Sequence, residues 1–189
     1  MNKFFILIIS LFLCLPAFAE NTLLTGGVVY TVETARKAAF ENIQLKIDKK
    51  ILEPHLYDEN NKANLYALKN NIQPKDRTII AFEMAKGFVN GYAIVYNANP
   101  DYTYYYSIGG YLVAVDIDNK PQETSFPYKV GKYNPITGNL ISVSLYVSDE
   151  EQYAYTKSGK LKAHWIGEFG YNSKGKIIAK RKYTDVIPE

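Results

Sequence analysis

The sequence YTKSGKL at residues 155–161 decides the fold, because the same phrase recurs along the second half of the chain. It returns as YNSKGKI at residues 171–177, and looser copies run from Tyr104 to Leu112 and from Tyr133 to Leu140. Each copy has an aromatic residue, a few polar residues, a glycine and then an aliphatic residue. This order is typical of a β-hairpin in which glycine supplies the positive φ of the turn and the aliphatic residue begins the return strand. The phrase therefore predicts a β-meander of local hairpins.

The first half of the chain has a helical period instead. Thr31 is placed to cap a helix whose apolar positions are Val32, Ala35, Ala39, Phe40 and Ile43. Residues 43–47 alternate strictly, so a short strand is the competing interpretation there. Pro54 should break whatever precedes it, and a second helix is predicted over about 60–70, burying Leu65 and Leu68, until Pro74 stops it.

From residue 77 onward the sequence predicts strands. Segments 78–84, 88–96, 102–107 and 111–117 are β-branched and aromatic, and turns containing glycine or proline separate them. Segment 88–96 is apolar on both faces, as in a central strand covered by helices. Segment 139–147 alternates, with Ile141, Val143, Leu145 and Val147 on one face. We therefore predict one α+β domain over residues 20–189, with a helical part at 20–75 and an antiparallel β-meander at 76–189.

Residues 133–183, and the two tight copies above all, resemble bacterial MORN-like repeats, whose units are aromatic, polar turn, Gly-Lys-Leu. They are also similar to the tyrosine-rich YD repeats of large secreted toxin shells. The spacing between the turn glycines shrinks along the chain, whereas solenoid repeats keep a constant period. The resemblance implies a non-catalytic binding or scaffolding surface and supplies no catalytic residue.

Residues 1–19 have the features of a secretory signal peptide. A basic start at Lys3 precedes an apolar run over 4–15, and Ala17 and Ala19 suit signal peptidase, so Glu20 is the expected mature N-terminus. The run is shorter than the roughly 20 residues that cross a bilayer. Lipidation at Cys14 is disfavoured by the bulky Phe12 and Leu13 before it. We expect an exported protein, periplasmic or extracellular, with no transmembrane segment after processing.

Cys14 is the only cysteine and is lost with the signal peptide. The mature chain then has no disulfide and no cysteine metal site. No cofactor or metal is expected, because the sequence has only two histidines and no His-Glu-x-x-His, phosphate-binding glycine loop or Gly-x-Ser-x-Gly motif.

His164 and the pair of Asp116 and Asp118 are the candidates for acid–base chemistry. A serine or threonine hydrolase using His164 stays open, since triads assemble from distant positions, although a hydrogen-bonding histidine on a strand is the simpler interpretation. His55 follows Pro54 and is expected on a surface loop. Asp116 and Asp118 share a strand face and suit calcium or an acid–base pair, but residues 118–121 have the composition of a turn. Residues 149–151 are expected to form a solvated acidic turn.

Aromatic residues form the first candidate binding surface. Exposed tyrosine rows suit sugar rings or peptides, whereas buried cross-strand pairs would only hold the sheet together. The candidates are Tyr104, Tyr106, Tyr155, Trp165 and Tyr171.

Lysine residues form the second candidate surface. The chain has a net charge of +3, whereas residues 155–183 contain seven lysines and one arginine against Glu168 alone. Strand alternation predicts one exposed basic face, with His164 beside it and Leu161, Ala163 and Trp165 opposite. Its members are Lys160, Lys162, Lys176, Lys180 and Lys182. Such a face suits anionic lipid headgroups, acidic glycans or an acidic protein of the envelope, and lysines that keep a sheet edge soluble are the alternative.

These features predict an exported, non-enzymatic binding module. The low overall charge disfavours nucleic acid as the partner. A small extracytoplasmic hydrolase or enzyme inhibitor that uses His164 or the pair of Asp116 and Asp118 is the alternative.

Overall fold

One antiparallel sheet forms the body of the molecule, and every strand in it pairs with the next strand along the chain. The computed structural model describes residues 30–84, 88–119 and 126–180. Within these ranges the fold is α+β, with ten strands in the order β1 to β10. The strands are β1 Arg77–Met84, β2 Phe88–Tyr96, β3 Asn99–Ser107, β4 Leu112–Asn119, β5 Tyr128–Tyr133, β6 Leu140–Tyr146, β7 Glu151–Thr156, β8 Leu161–Ile166, β9 Phe169–Tyr171 and β10 Ile177–Lys180.

The predicted helices are present, but the first ends at Phe40, so Ile43, predicted as one of its apolar positions, lies outside it. Helix α1 spans Val32–Phe40 and begins at a capping box between Thr31 and Thr34. At its other end the ammonium of Lys129, on β5, donates hydrogen bonds to the carbonyl oxygens of Ala38 and Glu41. The capping box is internal to the start of the helix, whereas the Lys129 contacts tie its C-terminal end to the sheet.

The structure differs from the prediction in three further details of this region. Pro54 lies inside a 3-10 helix, Lys49–His55, rather than breaking the chain before it. Helix α2 spans Asn61–Lys69 and ends at Asn70, just before Asn71 with φ 55°, so a left-handed asparagine and not Pro74 stops it. Between α1 and the 3-10 helix, the predicted short strand is reduced to a single bridge at Lys46.

The helices cover one side of the sheet, which we call the helix-facing side. Ala35 and Ala39 of α1 are fully buried and bring the helix close to Val143, Tyr153 and Tyr155. Farther along, Leu52 and Ala67 pack on the first strands of the sheet. The sheet residues of this larger core are Ile79, Tyr92, Ile94, Tyr104, Tyr106, Leu112, Val115, Tyr133 and Leu140.

The prediction that segment 88–96 is a central strand covered by helices on both faces is wrong. Strand β2 lies next to the edge strand β1, and the described helices pack on one side of it only. Tyr92 and Ile94 are in the core, whereas Ala93 faces the opposite side, where its paired neighbours continue as Tyr105 and Ala114. On this second side the ring of Tyr105 packs against that of Phe82, with centroids 5.9 Å apart, so aromatic contacts and not helices account for the apolar residues there.

The predicted hairpin glycines are confirmed. Gly110, Gly138, Gly159 and Gly175 all have positive φ, between 70° and 82°. They lie in the turns β3–β4, β5–β6, β7–β8 and β9–β10. Because consecutive strands are antiparallel, these four turns lie at the same end of the sheet.

Candidate binding site at the hairpin tips

The four repeats form four closely similar hairpins. In each, the tyrosine pairs directly with the aliphatic residue that follows the glycine, as in Tyr155 with Leu161. The first copy begins at Tyr106 rather than Tyr104, because Tyr106 is the residue opposite Leu112. The other two pairs are Tyr133 with Leu140 and Tyr171 with Ile177.

A second feature of the hairpin was missed in the sequence. The residue after each tyrosine is a serine, asparagine or threonine, and its carbonyl oxygen accepts the glycine N–H at 2.8–3.0 Å. Its side chain accepts further turn N–H groups, as when Asn172 Oδ1 accepts from Lys174 and Lys176. The equivalent residues are Ser107, Asn134 and Thr156. Such side chains stabilise turns, so their recurrence before each glycine was a usable signal.

We name the turns tip 1 (residues 107–111), tip 2 (134–139), tip 3 (156–160) and tip 4 (172–176). Tips 1 and 2 are each paired with a short extended segment from the first half of the chain. At tip 2, Ile47 N donates to Gly138 O and Leu140 N donates to Leu45 O, both at 2.9 Å. These bonds place Lys46 opposite Asn139 in an isolated bridge.

Tip 1 repeats this arrangement with a second segment. Asp58 N donates to Gly110 O at 2.8 Å, and Leu112 N donates to Leu56 O at 3.0 Å. Tyr57 and Tyr111 face each other across the bridge, with ring centroids 5.4 Å apart. Two unrelated segments thus dock on the same backbone groups of the hairpin unit.

Tips 3 and 4 differ from tips 1 and 2 in their backbone pairing and in their charge. Within residues 30–84, 88–119 and 126–180, no backbone bridge forms at Lys160 or Lys176. The guanidinium of Arg36 lies against Gly159, so α1 partly covers tip 3. Tips 1 and 2 have no charged residue, whereas tip 3 carries Lys157 and Lys160, and tip 4 carries Lys174 and Lys176, all exposed.

The single basic face predicted from alternation is wrong. A bulge in β8 places Leu161 opposite Tyr155 on the helix-facing side, whereas Ala163 lies on the other side opposite Ala154, and Lys162 falls at the bulge between them. A similar bulge in β10 puts Ile177 and Lys180 on one side. Strict alternation fails wherever a bulge adds one residue.

The basic charge is therefore divided between two ends of the sheet. Lys160 and Lys176 lie at tips 3 and 4. Lys180 instead reaches the opposite end, where its ammonium is 3.2 Å from the carboxylate of Glu168. Lys182 lies outside the described residues.

Three of the candidate tyrosines are core residues, as the alternative interpretation of buried cross-strand pairs expects. Tyr104, Tyr106 and Tyr155 are at most 2% exposed on the helix-facing side. Burial raises the pKa of Tyr104 to about 12 and raises those of the other two. The hydroxyl of Tyr155 donates to the carbonyl oxygen of Val32 at 2.7 Å, which ties β7 to the start of α1.

The remaining aromatic candidates are half-buried and lie on different sides. Trp165 packs against Gly170, where a Cβ atom would meet its ring at 3.2 Å. Tyr171 is paired with His164 on the helix-facing side. The predicted aromatic surface is thus not one surface.

His164 belongs to a buried polar cluster. Its Nε2 lies 2.7 Å from Glu151 Oε1, and its ring stacks on Tyr153 at 4.0 Å. The hydroxyl of Tyr153 donates to the same oxygen at 2.8 Å. Glu151, predicted in a solvated turn, is 1% exposed, so that prediction is wrong. Among the described residues no serine or threonine hydroxyl is hydrogen-bonded to the His164 ring.

The other candidates are also engaged with their neighbours. Asp116 accepts the Tyr105 hydroxyl at 2.7 Å and pairs with the Lys132 ammonium at 2.8 Å. Asp118 continues strand β4 opposite Val130 rather than starting a turn. His55 is not on a surface loop: it is half-buried in the 3-10 helix, with its ring 4.3 Å from that of Tyr104.

Within the part of the chain that the structure describes, no group of three or more His, Cys, Asp or Glu residues is placed to hold a metal ion. No helix in those ranges has both the length and the apolar character needed to span a membrane. Comparison with protein-family models, curated proteins and solved structures found no match for this chain.

Proposed function

We propose that this protein is a non-enzymatic binding module that engages an anionic partner through tips 3 and 4. The observation that carries the proposal is the contrast between the two pairs of tips. Tips 1 and 2 are uncharged and are paired with the first half of the chain. Tips 3 and 4 repeat the same turn with exposed lysines on both sides of the glycine.

The rigidity of the turns supports a role in recognition. Each lysine pair is anchored on a turn held by a backbone bond to the glycine and by side-chain bonds from Thr156 or Asn172. Adjacent tips are separated by two strand spacings, about 10 Å. Charges held on a fixed backbone pay less ordering entropy on binding than charges on a mobile loop.

Export of the protein is part of the proposal. The basic, apolar and small-residue regions of residues 1–19 support secretion, with cleavage before Glu20. The intact mass of protein recovered from the exported fraction should match residues 20–189. A mass that retains Cys14 with an added lipid would contradict this cleavage.

Substitution of the tip lysines tests the binding function. In the tip variant, Lys157, Lys160, Lys174 and Lys176 are all changed to glutamine. In the control variant, the exposed lysines Lys50, Lys62, Lys69 and Lys75 are changed instead, which removes the same charge. Binding to immobilised polyglutamate and to phosphatidylglycerol vesicles is then measured at low salt and at 1 M salt.

We expect the parent and the control variant to bind at least one of these anionic surfaces, and the tip variant to lose at least tenfold in affinity. Screening at 1 M salt should abolish the difference. Equal binding by all three proteins at low salt would show that the tip lysines only serve solubility.

A further inference from the structure

We infer that tip 4 is a strand-addition site for an extended, acidic segment of a partner protein. This inference deepens the proposed function and rests on it. It specifies how the anionic partner is held: by backbone pairing to Gly175 and Ile177, with charge pairing to Lys176.

The geometry of the occupied tips supplies the template. At tips 1 and 2 the docked segment spans three residues. The carbonyl oxygen of its first residue accepts a hydrogen bond from the N–H of the aliphatic residue of the hairpin. Its second residue lies opposite the residue that follows the turn glycine. The N–H of its third residue donates to the carbonyl oxygen of that glycine. The third residues, Ile47 and Asp58, are 6% and 4% exposed, so their side chains point into the core. The hairpin unit therefore binds extended chain by main-chain hydrogen bonds.

Tip 4 repeats the unit that holds these segments. Gly175 has φ 70°, equal to that of Gly138, and Ile177 pairs with Tyr171 as Leu140 pairs with Tyr133. Among the described residues, no backbone N–H or carbonyl group outside the hairpin bonds to Gly175 O, and none bridges Lys176. Tip 3 is a poorer site, because Arg36 lies against its glycine.

The outer edge of β10 lengthens the site. Strand β10 is last in the sheet, and no strand of the described ranges pairs with its outer edge. The opposite edge is blocked: the amide of Gln73 both accepts from Ile79 N and donates to Ile79 O, at 3.0 Å each. A segment that enters at tip 4 can therefore continue beside β10, whereas strand addition at β1 is obstructed at Ile79.

Charge selects an acidic segment and disfavours a second copy of this chain. The residue at the centre of the site is Lys176, where tips 1 and 2 have Tyr111 and Asn139. Lys174, exposed at the same tip, adds a second positive charge. Two copies of β10 pairing edge to edge would bring lysines against lysines, which is unfavourable. The matching sequence is apolar, acidic, apolar, with the third side chain directed toward the side of Tyr171.

Titration with short peptides tests the inference. The probe is acetyl-TLEITEV-amide, added to the isotope-labelled full-length mature protein while backbone amide signals are followed by NMR. One control peptide replaces both glutamates with lysine. The other carries an N-methyl group on the isoleucine, which removes the N–H expected to bond to Gly175 O but keeps all charges. The protein variants are Lys176→Glu and, at the matched position of tip 2, Asn139→Glu.

We expect the probe to shift the amides of Lys176 and Ile177 and to bind at least tenfold more tightly than the N-methylated peptide. Lys176→Glu should weaken binding at least fivefold, and Asn139→Glu should leave it unchanged. Equal binding of the N-methylated peptide would overturn strand addition, while salt-dependent polyglutamate binding would still stand. Shifts confined to residues outside 169–180, the hairpin that contains tip 4, would place the peptide elsewhere and overturn the site.

Discussion

Glycine residues with similar φ angles have different surroundings in this protein. A Cβ atom on Gly138 would lie 2.4 Å from the carbonyl oxygen of Ile47, which is docked on tip 2. A Cβ atom on Gly167, with φ 54°, would meet nothing within 4 Å. The first glycine is therefore required by both conformation and packing, and the second by conformation alone.

Alanine substitution should separate these two requirements. Gly167→Ala should cost about 1 kcal/mol of unfolding free energy, the strain of a left-handed alanine. Gly138→Ala should cost at least about 1 kcal/mol more, because the Ile47 backbone must also move. Urea denaturation of both variants measures the difference, and equal losses would show that tip 2 does not hold its docked segment as described.

His55 makes the stability depend on pH. Burial lowers the pKa of His55, so the unfolded chain takes up a proton at a higher pH than the folded chain. Its contribution is therefore fully present above about pH 6.5 and decreases as the pH falls below that value. His55→Phe keeps a ring against Tyr104 and removes the titration. Between pH 7.5 and 5.5 the variant should lose less unfolding free energy than the parent, and identical slopes would contradict this.

Individual residues also show the limits of prediction from the sequence. The positive φ of the tip glycines follows from local turn chemistry and was predicted. The burial of Glu151 was not, because its partner His164 lies on the next strand and its acidic neighbours Asp149 and Glu150 are exposed. A local pattern cannot show a contact made across the sheet.

Among the elements of the fold, the two edge strands differ in how their outward-facing backbone groups are hydrogen-bonded. Gln73 pairs with the backbone of Ile79 as a neighbouring strand would, so the edge strand β1 presents fewer free groups. Ile79 itself is 1% exposed, so these backbone groups have no easy access to water. A side chain thus occupies the outward-facing backbone groups of one residue on this edge of the sheet.

Gln73→Met tests this role, because methionine has similar length but makes neither hydrogen bond. We expect a loss of about 1–3 kcal/mol of unfolding free energy, since buried backbone groups lose their partners. Gln44→Met, at an exposed position, is the control and should be nearly neutral. A loss below about 0.5 kcal/mol for Gln73→Met would mean that water replaces the glutamine.

Elements were predicted well where the signal is local. Helix α1 was predicted from the helical spacing of its apolar residues. Strands β1 to β4 were predicted from their β-branched and aromatic residues and from the glycine- or proline-containing turns that separate them. The bulges at Lys162 and in β10 were not predicted, and one extra residue is enough to reverse which side a lysine faces. For this reason the lysines predicted to share one face are divided: Lys160 and Lys176 lie at tips 3 and 4, and Lys180 pairs with Glu168.

In the whole molecule, the first half of the chain contacts the hairpin tips in the reverse of their order along the sequence. Chain that leaves α1, beside tip 3, reaches tip 2 through residues 45–47 and then tip 1 through residues 56–58. The helical part therefore passes the tips in reverse order before β1 begins. Composition and hydrophobic period predicted the α+β class. The docking of residues 45–47 and 56–58 on the tips was not predicted, because each segment is held by a single backbone bridge, which leaves no periodic pattern in the sequence.

Hydrogen exchange of equivalent amides at the tips, those of Leu112, Leu140 and Ile177, tests the central claim most directly. In the free protein, Leu112 and Leu140 donate to the docked segments, whereas no bridge of this kind forms at Leu161 or Ile177 among the described residues. We predict slow exchange at the first two amides and exchange at least a hundredfold faster at Ile177. Protection of Ile177 equal to that of Leu140 in the free protein would show that tip 4 is already filled, and would contradict its assignment as a binding site.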